Sequence, residues 1–225
     1  MSEVTMIVGT IFVFFVMKKV YARFTTPLLL PVLTTTIAVI ILLQIFDVSY
    51  DTYMNGAKWI DAMLGPAVVS MAYPLYAQRE TIIKNKFSIM ISVIVAMLSG
   101  LISVIVFANL LNFDNELIIS LLPKSITTPV AMQITESIGG IPSLTAVFVI
   151  LAGLTGAITG PIIYKICRIE KVISRGVSMG SASHGIGVAK LSEYGEQALS
   201  MGTVSMTLSA VVGSFICPLF ALLFT

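Results

Sequence analysis

The chain has 225 residues, of which 57% are apolar and 11% charged, with a formal net charge of +2. A soluble domain carries roughly 25% charged residues, so this composition cannot clothe a water-soluble fold, and so small a net charge points away from a nucleic-acid partner. The fold class that remains is an all-α, polytopic integral membrane protein whose solvent is the bilayer.

Apolar runs of roughly 19–25 residues recur along the chain, each long enough to cross a hydrocarbon core of about 30 Å. Six full spans are predicted, at 2–20, 28–46, 60–78, 87–111, 141–164 and 199–224. Their Gly, Pro and Thr content is tolerated where neighbouring helices satisfy the backbone, and the short alternating segments of a lipid-spanning barrel are missing. The first apolar stretch, Val4 to Met17, runs into Lys18 and Lys19 rather than a small-residue cleavage site, so it is read as a retained span. Gly65-Pro66 and Tyr73-Pro74 bend the third span or widen a pathway beside it. Cys167 and Cys217 have no metal-binding spacing and are read as small buried side chains.

Basic residues cluster in three connections: Lys18, Lys19 and Arg23; Arg79, Lys84 and Lys86; Lys165, Arg168, Lys171 and Arg175. The excess of cations on cytoplasmic loops puts these inside. The connections holding Asp47, Asp51 and Asp61, and Asp114 and Glu116, then lie outside, together with the N-terminus. Two polar-interrupted stretches, 117–140 and 176–200, do not fit as ordinary spans in this scheme. The first must enter and leave on the outer side and the second on the inner side, so both are predicted to be re-entrant hairpins with tips at the midplane. Ile134-Thr135-Glu136 parallels Leu191-Ser192-Glu193 at an offset of 57 residues, which suggests an inverted repeat; chance similarity among small and polar residues is the alternative. The expected organisation is one transmembrane domain over 1–225. It has two N-terminal spans (1–58), a first repeat (59–164) with its broken segment at 117–140, and a shortened second repeat (165–225) with its broken segment at 176–200.

Chemistry concentrates in the interrupted stretches. In Pro123-Lys124-Ser125-Ile126-Thr127-Thr128-Pro129 a proline at each end breaks helical hydrogen bonding. The freed backbone groups need protein or a wet cavity around them. Lys124, Ser125, Thr127 and Thr128 are therefore candidate substrate-binding residues, and a helix restarting at Pro129 points its positive end at the same place, which suits an anion. A proline-kinked helix with self-satisfied hydroxyls is the alternative. The second constellation, Ser178-Met179-Gly180-Ser181-Ala182-Ser183-His184-Gly185-Ile186-Gly187, holds the chain's single histidine among glycines and serines. Ser181, Ser183, His184 and Gly185 are its candidate binding residues, the imidazole being suited to carrying a proton or bonding a carboxylate; a small-residue packing interface is the competing reading. Glu136, Lys190 and Glu193 are candidates for coupling or gating, or are helix-end charges at the membrane surface. No zinc motif, facing nucleophile and base, or dinucleotide fingerprint is present, so neither an enzyme nor a cofactor or metal site is expected.

At Leu122-Pro123-Lys124-Ser125-Ile126-Thr127-Thr128-Pro129-Val130-Ala131 and Ser181-Ala182-Ser183-His184-Gly185-Ile186-Gly187-Val188-Ala189-Lys190 the chain resembles the LrgB/CidB family. Tyr73-Pro74-Leu75-Tyr76 and Ile138-Gly139-Gly140 extend the resemblance to nearly the whole length from about residue 25. It implies an antiholin-like or holin-like protein of the bacterial plasma membrane, linked to murein hydrolase activity and cell lysis. It also implies kinship with carriers of pyruvate and, in plastids, of glycolate and glycerate. The expected partners are the bilayer, a small LrgA/CidA-type membrane protein, a small carboxylate such as pyruvate, and further copies in an oligomer. The resemblance does not separate the LrgB from the CidB branch.

Overall fold

The computed structural model describes residues 3–24, 26, 29, 31–70 and 72–224. Positions 2 and 28, where two spans are expected to begin, and Met71 within a third lie outside the described residues. The described chain is helical, without strands, and divides into two units, Met1–Ala67 and Val68–Thr225.

The first unit is built on α1 (Glu3–Phe24), α2 (Pro31–Ile45) and α3 (Tyr50–Asp61). Asp47 turns the chain between α2 and α3 with φ 49°, and Ser49 caps α3 by accepting from the Thr52 amide at 3.3 Å. Polar contacts join α3 to α1: Thr10 and Tyr53 share a hydrogen bond of 3.1 Å. The Glu3 carboxylate accepts from Trp59 Nε1 at 3.2 Å and pairs with Lys58 at 3.5 Å. Along α1 only Met6 is buried, which fits a helix whose remaining faces meet apolar solvent.

Four of the described helices are long and apolar enough to cross a membrane: α1, α7 (Lys86–Leu110), α10 (Pro142–Ile166) and α12 (Glu196–Ala221). The other two expected spans are described in part. α2 has 15 residues, about 22 Å at 1.5 Å per residue. Within residues 60–78 the described interruption is the turn at Ala62 and Met63: α3 ends at Asp61, α4 (Leu64–Ser70) and α5 (Ala72–Ala77) lie on either side of Met71, and α6 (Arg79–Lys84) follows. Pro66 occupies the third position of α4, where a missing amide costs no intrahelical bond. Pro66 thus begins a helix rather than bending one.

In the second unit α12 is the central helix, with buried residues from Ala198 to Ala221. Against it packs α7, whose Ile89, Val93, Met97, Leu101, Val104 and Ala108 are buried at spacings of three and four that keep them on one face. Its opposite face carries exposed Phe87, Ile91, Val95, Ile102 and Val106. Such a band is unremarkable against hydrocarbon and untenable in water.

Between α7 and α10 the chain makes a helical hairpin. α8 (Asn115–Leu121) ends, residues 122–127 run as turns, and α9 (Thr128–Ser137) returns. Hydrogen bonds hold the two arms to the start of α10. Thr145 donates to the Ser120 carbonyl at 2.8 Å, Thr135 lies 2.8 Å from the Thr145 hydroxyl, and Ser120 Oγ accepts from the Ile141 amide at 2.8 Å. Since the Thr145 proton is committed to a carbonyl, Thr135 is the donor to Thr145.

α11 (Val172–Lys190) is two helical arms meeting at His184, whose φ of 38° and ψ of −141° are not helical. An unbroken helix would separate Arg175 from Tyr194 by about 28 Å, yet the Arg175 guanidinium lies 4.9 Å from the centre of the Tyr194 ring. The chain has turned back at His184. A 3-10 turn, Leu191–Tyr194, and Gly195 at φ 97° then lead into α12. The first hairpin is anchored at Thr145, near the start of α10, and the second at Tyr164, near its end, where the Tyr164 hydroxyl donates to the Arg175 carbonyl at 2.8 Å. The two hairpins therefore enter from opposite ends of α10. Cys217 is buried, but Cys167 is exposed, correcting the expectation that both cysteines pack inside: Cys167 caps α10 where the chain swings away through Arg168 at φ 51°.

Candidate functional site

Both hairpin tips reach the middle of the long helices. Ile126, fully buried, fills the space left by the missing side chain of Gly213 in α12, beside Met97 in α7, and Ser125 faces Gly100 of α7. On the other side, the His184 imidazole lies against α10, with Nε2 2.7 Å from the Val149 carbonyl. A carbonyl only accepts, so Nε2 carries a proton and donates it to Val149.

α10 makes room for this tip with glycines. A Cβ at Gly153 would stand 2.8 Å from His184 Cε1 and 2.9 Å from Ile186 Cβ, and one at Gly156 would overlap the Ser183 side chain. Gly153, Gly156 and Gly160 lie three and four residues apart, on one helix face, where small residues let backbones approach. The socket at Val149, Gly153 and Gly156 was not read from the sequence, although the glycine spacing was the available signal.

A cavity of about 570 Å³ joins the two hairpins, with Lys124 from the first and Ser183 from the second in its wall, together with Ser178, Ala182, Thr155 and Tyr164. Among the described residues Lys124 has no ion-pair partner. The other expected residues are placed around this pair. Ser125 turns to α7; Thr127 is buried at the cap position of α9 without using its side chain as a cap; Thr128 begins that helix. Ser181 is buried with an unpartnered hydroxyl, and Gly185 follows the kink toward Met206. Glu136 is exposed in the last turn of α9, while Lys190 and Glu193 pair with each other at the base of the second hairpin. These three do not join Lys124 and Ser183. Among the described residues no cluster of side chains suits a metal ion.

A second cavity, of about 990 Å³, is lined by Asn85, Ser88 and Ser92 near the start of α7, by Arg168, Glu170 and Lys171 of the α10–α11 connection, and by Ser174, Ser178 and Ala182 of α11. Two of the three basic clusters thus lie at one end of this unit.

Long apolar helices of this kind define a multi-pass helical membrane protein, here with a largely apolar cavity whose wall carries Lys124, Thr155, Ser178 and Ser183. The chain belongs to the LrgB-like family, whose pattern it matches over residues 10–223. It is 50% identical to YxaC of Bacillus subtilis (strain 168), over 98% of this chain and 96% of that one. It is 35% identical to the holin-like protein CidB of Staphylococcus epidermidis (strain ATCC 12228 / FDA PCI 1200), over 100% and 98% of the two chains. To YwbG of the same Bacillus strain it is 38% identical, over 90% of each. No solved structure matches it.

Proposed function

We propose that the protein is a carrier, or the carrying subunit, for short monocarboxylates such as pyruvate, which bind at mid-height between two re-entrant hairpins. The observation that carries this reading is the single cavity shared by Lys124 and Ser183, one from each hairpin. One unpaired ammonium at that depth matches one carboxylate, because a charge in a low-dielectric site is stable only when compensated. Ser183 supplies a hydroxyl, and the N-terminus of α9 adds a positive dipole end. Ser125, Thr127, Thr128, Ser181 and Gly185 complete the binding region around the anion, and His184, through its bond to the Val149 carbonyl, holds the second tip in place.

Movement of one hairpin against α10 and α12 gives alternating access. Glu136, Lys190 and Glu193, at the hairpin bases, are placed to gate it. Each hairpin is followed by a glycine at positive φ, Gly139 at 80° and Gly195 at 97°, and then by a helix of 25 or 26 residues. That correspondence supports the inverted-repeat reading. In the plasma membrane the basic end faces the cytoplasm.

A second reading rests on the holin-like relatives: a non-catalytic regulator of murein hydrolases and lysis, acting through a small LrgA/CidA-type partner. Labelled-pyruvate uptake into liposomes holding the purified chain, with and without that partner, separates the two. Saturable uptake abolished by Ser183→Ala in a folded protein supports the carrier. Absence of uptake for every short carboxylate, with partner binding retained, supports the regulator.

A further inference from the structure

The cavity at the basic end has no role in the site described above, yet it adjoins it: Ser178 and Ala182, one turn apart on α11, line both cavities. Its mouth is formed by Arg168 and Lys171, both exposed, with Glu170 the acidic side chain between them. Lys84 and Lys86 flank Asn85, which lies in the wall, and Lys165 and Arg175 flank the connection on the other side. Toward the interior the wall carries the hydroxyls of Ser88, Ser92 and Ser174 among Ile89, Val95, Ile173 and Val177, the Ser178 hydroxyl being donated to the Arg175 carbonyl at 3.2 Å. Cations at the mouth and uncharged hydrogen-bond donors along the wall are what an anion needs as it sheds water by stages. A cleft of one charge sign with low-dielectric walls also concentrates counter-ions within it.

We propose that this cavity is an anion-selective vestibule, in which Arg168 and Lys171 gather small carboxylates from the basic side and pass them along the Ser178–Ala182 edge of α11 to Lys124 and Ser183. The identity of the anion rests on the carrier reading; the charge selectivity of the cavity does not.

The test reads that selectivity without transport. In full-length protein with Cys167→Ser, which removes the exposed thiol beside Arg168, a reporter cysteine is placed by Ala182→Cys, and separately by Ser92→Cys in case the first variant fails to fold. Each reporter is treated from the basic side with an anionic (ethylsulfonate) or cationic (ethyltrimethylammonium) methanethiosulfonate, and rates are normalised to those of a free thiol. The expected anionic-to-cationic ratio is raised at least threefold at low salt. It falls toward one in Arg168→Gln/Lys171→Gln and in molar salt, where the screening length is about 3 Å. Reporters that fail to react, that react without charge preference, or whose preference survives the double substitution overturn the proposal. A vestibule that passes this test in a protein that moves no carboxylate would sink the carrier reading alone.

Discussion

The Nε2 atom of His184 and the carbonyl oxygen of Val149, in different helices, lie 2.7 Å apart at mid-height of α10, and this bond anchors the point where α11 reverses. The His184 backbone sits at φ 38°, a conformation that costs a side-chain-bearing residue about 1–2 kcal/mol. Two effects therefore separate on substitution. His184→Ala loses the bond but keeps the strain, whereas His184→Gly loses the bond and relieves it. We expect His184→Ala to be the less stable of the two by about 1 kcal/mol, read as a lower thermal midpoint in detergent; equal midpoints would mean that the reversal is not strained.

Gly156 stands where any side chain would meet Ser183. Gly156→Ala should cost about 1–3 kcal/mol through overpacking, and adding Ser183→Gly should recover part of it. Gly9→Ala, at a glycine with nothing within 4 Å of the added carbon, is expected to be neutral or mildly stabilising. Thermal unfolding of the three variants side by side checks this ordering.

Thr145 is fully buried and ties α8, α9 and α10 together through Ser120 and Thr135. Thr145→Val keeps the shape and strands the Thr135 hydroxyl and the Ser120 carbonyl, which should cost about 1–3 kcal/mol. In a double-mutant cycle, Thr135→Val made on top of it should cost less than Thr135→Val alone. Additive costs would show that the two hydroxyls act independently.

Lys124 lines the cavity and, among the described residues, has no ion-pair partner. On the carrier reading, Lys124→Gln should reduce pyruvate uptake at least tenfold, equivalent to about 1.4 kcal/mol of binding, while the thermal midpoint stays level or rises because no pair is broken. Uptake that survives the substitution removes Lys124 from the site.

How much of this was legible beforehand follows from the range of the forces involved. Lipid as solvent shows in composition alone, because a charged fraction of 11% fails to cover any surface with polar groups. The places of α7, α10 and α12 likewise follow from apolar length, a property of consecutive residues. Pro123 and Pro129 mark an interruption because proline's effect on its own backbone is local.

The expected span over 60–78 shows the limit of that reasoning: hydropathy averages over the turn at Ala62 and Met63, and Pro66 begins the helix that follows rather than bending a longer one. Cys167 is a second case, since an apolar neighbourhood in sequence does not say where a helix cap meets solvent.

By itself the sequence determined that the chain is helical, that lipid surrounds it and that its polar residues gather at two interruptions, since composition, run length and proline act within a few residues. Only the tertiary structure decided that α11 folds back on itself, that Val149 and three glycines of α10 receive its tip, and that Lys124 and Ser183 share a cavity. Those contacts join residues tens of positions apart, and close packing between helices, not any local preference, selects them.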